Sequence, residues 1–125
     1  MEPRPVESLV DLLNNVRARG MSPLHRALLE AAGDFQFAPG RTNALVLIAD
    51  GGDNCGEDPC QTVRFQRDGG IRYPIYVVGL GVEAAGRESL ACLAQVSGGV
   101  YREAANHTEL VEALEAFQND ILRQP

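Results

Sequence analysis

Residues Asn43-Ala44-Leu45-Val46-Leu47-Ile48-Ala49-Asp50-Gly51-Gly52 set six apolar residues in an unbroken run, then one carboxylate, then two glycines. A continuous apolar run closed by a turn signal fits a strand buried on both faces. The glycine pair ends the strand and lets the backbone turn sharply. The pattern predicts Asp50 at the carboxyl end of a central parallel strand, where open α/β sheets place their ligand sites. Burying an unpaired carboxylate is costly, so this reading has Asp50 facing a cleft, a donor or a cation.

Around this strand the rest of the chain alternates in period. Val6, Leu9, Val10, Leu13 and Val16 recur at helical spacing, predicting a helix over about 5–19 that stops at Gly20. Ser22-Pro23 reads as N-cap and first turn of a second helix through Leu24, Ala27, Leu28 and Ala31. A helix through Val63, Phe65 and Gln66 follows a loop over 50–58 and stops near Gly69-Gly70. The second strand is 74–78, and Gly79-Leu80-Gly81 ends it. Leu90, Leu93, Ala94 and Val96 make a further helical stripe, opening after Gly86-Arg87 and ended by Gly98-Gly99. Val100-Tyr101-Arg102 is a short third strand. Asn106 with Glu109 three residues on reads as a capping box for a last helix through Leu110, Val111, Leu114, Phe117 and Ile121. Strands separated by helices imply a parallel sheet with helices on both faces. The expectation is one α/β domain with about three strands.

Composition narrows the function classes. At 125 residues the chain is one domain's worth, with 45% hydrophobic residues for a core. A net charge of -6 with scattered basic residues argues against a nucleic-acid backbone as partner. No apolar stretch is long enough for a membrane span, and Met1-Glu2-Pro3-Arg4 does not read as a secretory leader. The three cysteines, with His25 and His107 far apart, lack the spacing of a zinc site. Cys55 and Cys60 read either as a disulfide closing a small loop or as two reduced thiols. The first places the chain in a periplasmic or extracellular compartment, the second in the cytoplasm. Cys92, on the apolar stripe of a helix, reads as packing.

Five motifs occur in a familiar order and spacing: Gly20-Met21-Ser22-Pro23-Leu24, Leu47-Ile48-Ala49-Asp50-Gly51, Cys55-Gly56-Glu57-Asp58-Pro59-Cys60, Val77-Val78-Gly79-Leu80-Gly81, and Leu93-Ala94 with Gly98-Gly99-Val100-Tyr101. Over about 9–117 the chain resembles the C-terminal part of a von Willebrand factor type A domain in its bacterial branch. The resemblance implies a three-layer, Rossmann-like fold with a metal-ion-dependent adhesion site at the carboxyl ends of the strands. Mapped onto this sequence, the resemblance implies that fold truncated to about three parallel strands with helices on both faces, a single partial domain over 1–125. In the family, oxygen ligands come from an Asp-x-Ser-x-Ser segment, a threonine and a final aspartate. The threonine position falls on Ser22 and the aspartate on Asp50, while the Asp-x-Ser-x-Ser segment has no counterpart before Ser22. Magnesium wants six oxygens in near-octahedral order. Ser22 and Asp50, with help from Asp53, are too few to hold it firmly, so weak or no Mg²⁺ binding is expected. Asp53, Glu57 and Asp58 lack EF-hand spacing and read as a solvated acidic loop. Ser22 also suits a helix cap, and Asp50 suits bonds to its own turn.

Three functions compete. The main reading is a non-enzymatic protein-binding module, with a carboxylate-bearing protein as ligand. No Ser/His/Asp or Cys/His set assembles from this sequence. The second is a nucleotide-binding enzyme of NAD type, because Gly79-Leu80-Gly81-Val82-Glu83-Ala84 matches G-x-G-x-x-A and Glu103 follows about 20 residues on. Against it, a helix opening only after Arg87 leaves no helix N-terminus for the pyrophosphate. The third is structural: a strand over 44–49 left at an uncovered sheet edge pairs with a second copy or a complementing fragment, giving a homodimer or an obligate complex.

Overall fold

A computed structural model of the chain describes residues 24–34, 43–51 and 58–123. The predicted helix over 5–19, the Ser22-Pro23 cap, Asp53 and Cys55 lie outside the described residues. In chain order the elements are α1 (Leu24–Ala32), β1 (Leu45–Ala49), α2 (Pro59–Asp68), β2 (Ile75–Leu80), α3 (Ala84–Ser97), β3 (Tyr101–Ala104) and α4 (His107–Leu122). The strands form one sheet in the order β1-β2-β3, both pairs parallel, with Ala49 level with Gly79 and Gly79 level with Glu103. This is the α/β architecture expected, and the sheet has helices on both faces.

Local chemistry sets the helix ends. Asp58 accepts a hydrogen bond from Cys60 N at 3.0 Å and Pro59 takes the first turn, so α2 starts where the segment after β1 ends. Asn106 Oδ1 accepts from Glu109 N at 2.9 Å, the first half of the predicted capping box. The returning Glu109 carboxylate reaches Ala105 N instead, at 3.5 Å. Gly98 closes α3 with φ +84, and Gly99 follows because a Cβ there would run into the Ile75 backbone. The start of α3 departs from expectation: Glu83 is the N-cap and Gly86 sits inside the first turn. Gly86 is tolerated there because the apolar stripe further along, Leu90, Leu93 and Ala94, anchors the helix in the core.

The core is divided by the sheet. On one face Leu28 of α1, Val63 of α2, and Leu90, Leu93 and Ala94 of α3 pack against Ile75 and Val77. On the other, Ala113 and Phe117 of α4 pack against Tyr76, Val78 and Ala104. Phe117 and Tyr76 meet ring to ring at 5.2 Å, and Tyr76 Oη donates to Asp120 at 2.6 Å. β2 is thus the strand buried on both faces.

That finding corrects the expectation for β1. Within the described sheet β1 has one strand neighbour, β2, and is an edge rather than a central strand. Its residues alternate: Leu45, Leu47 and Ala49 turn to the first core, while Val46 and Ile48 are 44% and 46% exposed. The reason is the coverage of the second face, where α4 packs on β2 and β3 and stops short of β1. The unbroken apolar run therefore reflects an apolar residue at each exposed position, not burial on both sides.

Candidate functional site

The carboxyl ends of the three parallel strands form one rim. Asp50 follows β1 directly, at the strand end that its position after the apolar run predicted, and it is exposed. It is solvated rather than buried against a donor. Ser22, the second expected oxygen ligand, lies outside the described residues. Among the described residues no group of three His, Cys, Asp or Glu side chains is placed to hold a metal ion.

Further along the rim, Gly79, Gly81 and Glu103, the residues of the nucleotide-binding alternative, do come together. They line a shallow cleft of about 220 Å³ with Arg87 and Glu109. Its chemistry is already engaged. Arg87 Nε donates to Glu103 Oε1, Tyr101 Oη donates to the same oxygen at 3.1 Å, and Arg87 Nη2 reaches Val82 O at 3.4 Å. The hydrogen bond from Arg87 holds the Glu103 carboxyl below the usual carboxylate range, and the same bond raises Arg87. Burial, then the bond to Glu103, pushes the Tyr101 phenol up. Gly79 is not open to a phosphate either. A Cβ there would meet Tyr101 Oη at 2.5 Å and Val82 Cγ2 at 2.8 Å, so the Tyr101 and Val82 side chains already fill the space over Gly79. Sequence reasoning matched these glycines to a fingerprint, and missed Arg87 and Tyr101 because Arg87 reaches Glu103 only through the packing of α3 against β3.

The cysteines are paired differently from the expectation. Cys60 is bonded to Cys92, with Cα atoms 6.0 Å apart, so a Cys55–Cys60 bridge is excluded in this state. Cys60 points into the core beneath α3 (3% exposed), which brings it to Cys92 on the facing helix surface. Cys92 is accordingly a cross-link and not simple packing. The acidic loop left Asp58 in a clear role, as the cap of α2.

No family model matches the chain. It is similar to two proteins of Bacillus subtilis (strain 168). Against Uncharacterized protein YwmD it is 27% identical over 104 residues, covering 82% of this chain and 46% of that protein. Against Uncharacterized protein YwmC it is 29% identical over 97 residues, covering 76% and 41%. The chain thus spans less than half the length of these relatives. In three dimensions it is similar to the conserved hypothetical protein BatB from Bacteroides thetaiotaomicron, with a TM-score of 0.68 over 94% of this chain and 70% of that one. At 16% identity, that likeness concerns the fold alone.

Proposed function

We propose that the chain is a non-enzymatic protein-binding module of von Willebrand factor A type, with an incomplete adhesion site on the rim that carries Asp50. The observation that carries this reading is the exposed carboxylate at the carboxyl end of a parallel strand, in a sheet whose fold is shared with BatB. An exposed carboxylate on such a rim is available to a cation or to a basic group of a partner. The described donors do not fit a complete magnesium site. One carboxylate offers too few oxygens, and Ser22 would add a single hydroxyl. Binding of Mg²⁺ is therefore weak or absent, and recognition by the isolated chain rests on Asp50 and its surroundings. The Cys60–Cys92 bridge fits a periplasmic or extracellular setting.

Calorimetric titration with MgCl₂, then with NAD, on the wild-type chain and on Asp50→Ala tests the reading. The expected result is a magnesium Kd of about 1 mM or weaker, abolished in Asp50→Ala, and no NAD heat. Tight magnesium binding unaffected by the substitution overturns the placement of the site. NAD binding overturns the non-enzymatic reading.

A second reading is favoured by β1. Its outer backbone edge has no strand neighbour among the described residues, and Val46 and Ile48 are exposed. Such an edge pairs readily with another strand. A homodimer or a complementing fragment at 44–49 follows from it, and Val46→Lys with Ile48→Lys should abolish any dimer seen in sedimentation equilibrium. A monodisperse wild-type monomer at high concentration counts against the homodimer.

A further inference from the structure

The Cys60–Cys92 bridge ties the first turn of α2 to the middle of α3, and its two sulfurs are not equivalent. Cys60 is deeply buried, while Cys92 is half-buried. A cleft of about 330 Å³, lined by Asp58, Cys60, Ala85, Glu88, Ser89 and Cys92, opens over the pair. Arg64 Nη2 stands 3.9 Å from Cys92 Sγ, where its charge favours an approaching thiolate. Cys60 is the second residue of α2, so a departing thiolate lies beside the positive end of a helix dipole, at a turn that the Asp58 carboxylate also caps. A leaving thiolate stabilised in this way departs faster.

From these features we propose that Cys92 is a thiol-exchange site at which an external dithiol opens the bridge. The thiolate of the dithiol attacks Cys92 Sγ. The Cys60–Cys92 bond breaks, a new S–S bond joins the reagent to Cys92, and Cys60 leaves with the electron pair as a thiolate. The second thiol of the reagent, once deprotonated, attacks the reagent sulfur of this mixed disulfide and displaces Cys92. The dithiol is oxidised to a disulfide by two electrons, and its two protons are available to the released cysteines. Opening frees the start of α2 from α3. Residues 51–58 run from Asp50 to that start, so the bridge anchors the far end of the segment that Asp50 begins. Any effect on ligands at Asp50 rests on the function proposed above; the exchange itself does not.

The test uses the full oxidised chain in non-denaturing buffer without metal. Excess cysteamine, a monothiol, traps the mixed disulfide, and acid quenching with peptide mass mapping locates it. The expected adduct is on Cys92, about tenfold or more over Cys60. Arg64→Gln, with an unchanged circular dichroism spectrum, should react about fivefold more slowly, the effect of one unit charge at this range in water. Adduct mainly on Cys60 overturns the proposal. So does labelling seen only after unfolding in urea, which would make the bridge structural alone. A rate unchanged by Arg64→Gln, or a map showing Cys55 joined to Cys60 in the oxidised chain, overturns it as well. Because the adduct is read without magnesium or a partner, failure of the binding-module reading leaves this result standing.

Discussion

Gly99→Ala tests how closely α3 and β2 are joined. A Cβ on residue 99 would lie 2.5 Å from the Ile75 carbonyl carbon and 2.9 Å from its nitrogen, with the carbonyl oxygen closer still. Ordinary contact begins at 3.4 Å, so the first residue of β2 has to retreat by at least 0.9 Å (3.4 minus 2.5), and further to clear the nearer carbonyl oxygen. These are backbone atoms of a central strand, and no rotamer change relieves them. The retreat strains Ile75 N to Ser97 Oγ and Val77 N to Val100 O, both 2.8 Å. Each such bond is worth about 1 kcal/mol net, and loosened packing of the fully buried Ile75 adds about as much. The expected loss is about 3 kcal/mol, or a Tm fall of roughly 10 °C for a chain of this size. Gly69→Ala is the control. Its φ is -83 and its nearest contacts are 3.5 and 3.6 Å, so it should stay within about 0.5 kcal/mol of wild type. Urea denaturation followed by circular dichroism measures both. A Gly99→Ala chain as stable as the Gly69→Ala chain refutes the close approach.

Other perturbations probe separate parts of the fold. Reducing the Cys60–Cys92 bridge, which closes a loop with a sequence separation of 32, should lower stability by about 3.7 kcal/mol on the chain-entropy estimate. A denaturation midpoint insensitive to dithiothreitol would contradict that bridge. Phe117→Ala removes a ring that is 2% exposed and should cost about 3–5 kcal/mol in the same assay. A loss under 1 kcal/mol would mean that α4 does not cover the second face. Burial raises the Tyr73 phenol above its ordinary value of 10.0, against a smaller lowering effect of its bond with Gln66. Its contribution to stability is therefore fully present below the unfolded value and is lost as pH rises through the higher folded one. Spectrophotometric titration should show Tyr73→Phe removing a phenol that ionises late. Loss of an early-ionising phenol would reverse the sign.

The alternation of periods carried the architecture. Residues with a single job were readable: the helical stripe of Leu90, Leu93 and Ala94, the Asn106 cap, and Asp50 at a strand end. Residues with two neighbours remote in sequence were not. The exposure of Val46 and Ile48 depends on where α4 lies, and α4 begins about 60 residues later. The pairing of Cys60 with Cys92 depends on how α2 and α3 pack, and short spacing pointed to Cys55 instead. Gly98-Gly99 read as a helix stop, which is true of Gly98; the demand on Gly99 comes from Ile75 across the sheet. The rim likewise appeared as a loose glycine fingerprint, whereas the packing of α3 over β3 brings Arg87 to Glu103 and Tyr101, neighbours on one face of the same strand. The placement of Ser22 lies outside the described residues.

The described helices are divided unevenly by the sheet, with α1, α2 and α3 on one face and α4 on the other. Cooperative units of opening follow such boundaries. Among the described elements α4 is held by Ala113 and Phe117, by flanking apolar contacts and by the Tyr76–Asp120 bond. It can lift away while the first core stays closed. In native-state hydrogen exchange, amides of α4 should exchange through a low-energy partial opening, and those of β2 only through global unfolding. Such an opening would bare the Tyr76 face, which adjoins the exposed Val46 and Ile48 on the same side of the sheet.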